Sequence, residues 1–131
     1  VARDALVKTV LVFLGAGFGA NLRFWLGAAI QERVGPSFPW GTFTINVTGS
    51  LVIGLVMGLL LNTTAAPWWR LLIVVGFLGG YTTFSSFSYE TIGLLQVKAY
   101  LPALGYIVGS CFVSFVGTWI GLSCARAITR T

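Results

Sequence analysis

Charge is what this sequence has least of. Only 8% of its 131 residues are Asp, Glu, Lys or Arg, where a soluble domain carries about 25%. Eight basic and three acidic side chains cannot clothe a soluble globule of this length. A water-soluble enzyme and a disordered segment are both excluded. Histidine is absent, which removes the commonest general base and the commonest metal ligand. The acids Asp4, Glu32 and Glu90 are too scattered to read as a catalytic carboxylate pair. Cysteine is scarce too. Cys111 and Cys124 share one apolar run with no further ligand types beside them, so they read as packing residues. The basic residues stand singly, with no patch that would take nucleic acid.

What is present is apolar. Hydrophobic types make up 56% of the chain and its mean hydropathy is +0.91, which makes it an integral membrane protein. The length allows a single domain. Four apolar runs follow one another, at about 6–30, 40–61, 67–96 and 101–128. Each reaches the roughly 20 residues that cross a hydrocarbon core as a helix. Four such runs cannot close a β-barrel, so the expected fold is all-α, with four transmembrane helices. Pro36 and Pro39 fall in the first loop, while Pro67 and Pro102 fall at helix starts, where a missing N–H costs little. Trp40, Trp68 and Trp69 stand at span ends, as interfacial aromatics do. The first run is too long for a cleavable signal and contains Arg23, so it is expected to stay as a span. Both termini then lie on one side with Arg3, Lys8, Arg70, Arg126 and Arg130, against Arg33 and Lys98 on the other. That is only a modest positive-inside bias. The sequons at Asn46 and Asn62 read as chance matches.

Four features exceed what lipid anchoring needs. Arg23 follows Lys8 by too few residues to clear the membrane, so it either snorkels or lines a wet vestibule. Thr42, Asn46 and Ser50 recur every four residues along one helical face. Asn46 is either interhelical glue or a pore-lining amide. The segment from Gly79 and Gly80 through Thr82, Thr83, Phe84, Ser85, Ser86, Phe87 and Ser88 to Glu90 is poor continuous helix. It predicts a break at the paired glycines near mid-membrane, freeing carbonyls such as those of Gly79 and Thr82. Tyr106, Ser110, Ser114 and Thr118 again recur every four residues, a stripe suited to helix packing or to a solute track. The 17 glycines allow close helix approach throughout.

These residues form a recognisable set. Gly15-x-x-x-Gly19-x-x-x-Arg23, Gly41-Thr42-x-x-x-Asn46-x-x-Gly49 and Gly79-Gly80-x-Thr82-Thr83-Phe84-Ser85-Ser86-Phe87-Ser88-x-Glu90, with the Tyr106–Ser110–Ser114 stripe, span all four runs. In them the chain resembles the small fluoride channels, the Fluc or CrcB family. The resemblance implies a fluoride-selective channel of the bacterial inner membrane, multi-pass, exporting fluoride and protecting the cell. It implies an antiparallel homodimer inserted in both orientations, with two pores at the interface. Asn46, Phe84 and Phe87 would contact fluoride, and Thr42, Tyr106, Ser110 and Ser114 would continue its path. Arg23 would lie at a vestibule. The carbonyls of Gly79 and Thr82 from both subunits would hold a structural sodium ion. Ser85, Ser86 and Glu90 complete the motif.

The chemistry suits such a path. Stripping water from fluoride requires replacement donors, which amides and hydroxyls supply without titrating near neutrality. A phenyl ring is positive at its edge, so ring edges attract an anion weakly, as conduction needs. Two other readings compete. A small proton-coupled multidrug transporter would need an acid within the membrane, for which Glu90 is the candidate. A membrane assembly subunit would consume its hydroxyls in packing.

Overall fold

The computed structural model describes residues 1–60 and 67–129. The Asn62 sequon and Arg130 lie outside the described residues. Within them, four helices are long and apolar enough to cross a membrane.

Helix α1 (Ala2–Val34) is the longest. At 1.5 Å per residue its 33 residues extend well beyond a core about 30 Å thick. Its first nine residues are all exposed, and there Lys8 pairs with Asp4 at 2.6 Å. The helix stops at Gly35, whose φ of 98° suits a residue without Cβ. Helix α2 (Trp40–Leu60) returns antiparallel after the short proline-containing loop. The third span is built of two pieces. Helix α3 occupies residues 67–81, opening at Pro67. It widens to i→i+5 bonding over Arg70–Leu78 and closes with the turn Gly79–Tyr81. After two extended residues, helix α4 (Phe84–Gln96) carries the chain on. A tight turn with Lys98 at φ 60° leads to helix α5 (Tyr100–Thr129).

The break is real, but it does not fall at the paired glycines. Gly79 is helical, with φ −63° and ψ −36°, and Gly80 lies in the same turn. Thr82 (φ −81°, ψ 158°) and Thr83 (φ −152°, ψ 120°) are the extended residues. Gly80 serves close packing instead: a Cβ there would meet the Ala16 carbonyl oxygen at 2.5 Å.

Helices pair in two seams, α1 with α3 and α2 with α5. Lipid supplies no hydrophobic drive between helices, so close backbone contact must hold them. At Gly19 an added Cβ would strike the Phe77 carbonyl of α3, and at Gly54 the Thr118 carbonyl of α5. A cross-helix bond from Thr118 Oγ1 to the Ser50 carbonyl, 3.0 Å, ties the second seam. The buried core is small, centred on Ile45, Leu78 and Tyr106. Phe13, Phe18, Trp25, Phe112 and Trp119 point outward, as side chains solvated by lipid do. Cys111 and Cys124 are free and also exposed. They do not pack the core as their apolar context predicted, because the buried side of α5 goes to its small residues and to Tyr106 and Ser110.

Candidate ion pathway

The break is held from α2. Thr83 N–H donates to Asn46 Oδ1 at 2.8 Å, and Asn46 Nδ2 donates to the Thr83 carbonyl at 2.9 Å. In a continuing α-helix the Thr83 N–H would bond the Gly79 carbonyl; here it is turned to Asn46. Thr82 closes α3 through its N–H (3.0 Å) and Oγ1 (2.9 Å), both donating to the Leu78 carbonyl. Thr83 then caps α4: its Oγ1 accepts from Ser86 N–H at 3.2 Å, the role of an extended N-cap threonine. The dense hydroxyls of the motif are therefore partly local. Thr83 Oγ1 also bonds Ser85 Oγ and Ser86 Oγ, each at 3.2 Å.

Two open-sided cavities flank this break. One, of about 460 Å³, brings together Asn46, Phe84, Phe87, Ser110 and Ser114 with Gly79, Thr82 and Thr83. Ser110 is 93% buried and its Oγ has no hydrogen-bond partner among the described residues. A buried hydroxyl without a partner is costly and calls for an explanation. The Phe84 and Phe87 rings lie 5.5 Å apart, centre to centre, at 50°. Phe84 is 77% exposed, so the wall it forms is open on its outer side. The other cavity, of about 470 Å³, holds Arg23, Thr42, Ser86 and Glu90. Arg23 therefore lines a recess that also carries polar side chains.

Tyr106 divides the last helix's stripe. It is fully buried and its hydroxyl donates to Glu90 Oε2 at 2.6 Å. Thr42 Oγ1 donates to Glu90 Oε1 at 2.7 Å. The expected face Thr42–Asn46–Ser50 is split in the same way: Thr42 looks to the Arg23 cavity, and Asn46 and Ser50 to the other. Thr118 belongs to the helix seam. Among the described residues no group of three His, Cys, Asp or Glu gathers, so a cation here has main-chain and hydroxyl oxygens to use. Gly79 fits that use. It lines the cavity, it carries no Cβ, and a Cβ there would find no atom nearer than 3.9 Å.

Two contributors escaped sequence reasoning. Gln31 Nε2 donates to the carbonyls of Gly35 (2.6 Å) and Phe38 (3.0 Å), and its Oε1 accepts from Gly41 N–H (3.1 Å). It latches the first loop. The latched Phe38 meets Tyr106 edgewise, 5.2 Å at 77°, and Tyr106 meets Phe87 at 5.0 Å and 61°. The available signal was a lone amide ending an apolar helix just before a Gly-Pro loop.

A family model described as CrcB-like protein, Camphor Resistance (CrcB), matches residues 10–122. A protein of Solibacter usitatus named fluoride-specific ion channel FluC is 45% identical over 121 residues, covering 92% of this chain and 99% of its own. A Thermus thermophilus protein of the same name is 45% identical over 118 residues, covering 87% and 94%. One from Rhizobium meliloti, again so named, is 41% identical over 120 residues, covering 91% and 96%. With the family model spanning most of the sequence and such relatives matched nearly end to end, the chain belongs to the CrcB-like family.

Proposed function

We propose that this protein is a fluoride-selective ion channel of the bacterial inner membrane that lets fluoride leave the cell, and not an enzyme. The observation that carries the reading is the Ser110 hydroxyl, buried and unpartnered beside a cavity that also collects Asn46, Ser114, Phe84 and Phe87. A small, strongly hydrated anion needs donors in place of its water. Ser110 and Ser114 each offer an O–H, and Asn46 keeps one N–H beyond its bond to Thr83. Ring edges of Phe84 and Phe87 add weak attraction. Weak successive sites let an ion enter and leave. The names of the relatives point the same way.

The working form is an antiparallel homodimer with two pores at its interface. The exposed Phe84 supports this, because one chain leaves that cavity wall open. Two-fold symmetry would then yield two equivalent paths. The carbonyls of Gly79 and Thr82 from both copies are the proposed holders of a structural sodium ion, which would neutralise their partial charges. Diversion of the Thr83 N–H from the Gly79 carbonyl supports that choice. Arg23 and Glu90 would lie at a vestibule, and Thr42 and Tyr106 at the end of the donor path.

The test is anion efflux from liposomes holding the purified protein. Fluoride should pass and chloride should be strongly excluded; equal passage overturns the selectivity. Phe84→Ile should lower fluoride flux while cross-linking still captures dimers.

A further inference from the structure

We infer that Asn46 is a positioning residue for the break in the third span: its carboxamide holds Thr83 extended and keeps Gly79 and Thr82 at the cavity. A primary amide presents a donor and an acceptor side by side, as an extended peptide unit does. Asn46 therefore pairs with Thr83 as a neighbouring strand would, with bonds of 2.8 and 2.9 Å in opposite senses. The paired glycines do not perform this task, since both are helical. Gly49, one turn further along α2, completes the template: a Cβ there would collide with the Thr82 methyl group. The spacing Asn46-x-x-Gly49 thus serves both extended residues, one by pairing and one by clearance. The second Nδ2 hydrogen stays available to the cavity, so one amide shapes the site and donates within it.

The consequence for ion flux rests on the channel reading; the clamp itself does not. Hydrogen exchange of the full-length protein in lipid nanodiscs separates the two. Asn46→Ala is expected to speed exchange at the Thr83 amide about tenfold or more, with α1 and α5 unchanged, as loss of a protecting bond does. Asn46→Asp keeps an acceptor for the Thr83 N–H and should preserve protection there. If Asn46→Ala does not fold, Asn46→Thr takes its place, its hydroxyl being too short to bridge both Thr83 groups. Unchanged exchange in the Ala or Thr variant overturns the clamp, and so does a rise shared equally by all helices. Wild-type fluoride efflux decides the channel reading independently.

Discussion

Tyr106 donates to Glu90 across 2.6 Å, and with Thr42 on the other carboxylate oxygen it ties three spans together at one acid. Glu90 comes from α4, Tyr106 from α5 and Thr42 from α2. The acid is thus engaged at both oxygens inside the fold, where a multidrug exchanger would need it answerable to substrate. Removing one donor should leave an acceptor unpaired. Tyr106→Phe and Thr42→Val are each expected to lose about 1–3 kcal/mol of stability, read from thermal unfolding in detergent. The double variant should depart from additivity by at least about 0.5 kcal/mol, since both donors share one carboxylate.

Ser110 should behave in the opposite way. Its hydroxyl has no hydrogen-bond partner among the described residues, so Ser110→Ala removes no bond seen there and should keep or raise the unfolding temperature. Fluoride efflux should nevertheless fall, by about tenfold for one lost donor worth roughly 1.4 kcal/mol at the barrier. A variant with unchanged efflux would detach Ser110 from the path.

The seams make a packing prediction with an internal control. Gly80→Ala drives a methyl onto the Ala16 carbonyl at 2.5 Å and should cost about 1–3 kcal/mol by overpacking. Gly93→Ala meets nothing within 4 Å and should be neutral or better. Paired melting curves check both.

Gln31→Leu keeps the bulk and removes three bonds, two to the first loop and one to the first turn of α2. About 1–3 kcal/mol of stability should be lost. Phe38, released from Tyr106, should also change the emission of Trp40, whose ring is centred 4.6 Å from it. Unchanged fluorescence and stability would show that the loop holds without its latch.

Much of the site could be read before the fold was known, though unevenly. Phe84 and Phe87 three apart, and Ser110 and Ser114 four apart, do share a cavity, because helical period alone sets those faces. Tyr106 has the same period yet turns to Glu90, a choice made by a partner on another helix. Gln31 carries no periodic signal, and its three bonds exist only once the loop has folded back.

The four spans, their helical nature and the scarcity of charge follow from sequence alone. Bilayer thickness and the need to satisfy every backbone group act along one dimension, so a string of residues suffices to apply them. Where the third span breaks is a different matter. Paired glycines make departure from a helix easy but do not require it. A break needs substitute partners for the freed N–H and C=O groups, and these came from Asn46, 37 residues away. Only tertiary structure brings such partners together, and it set the break at Thr82 and Thr83.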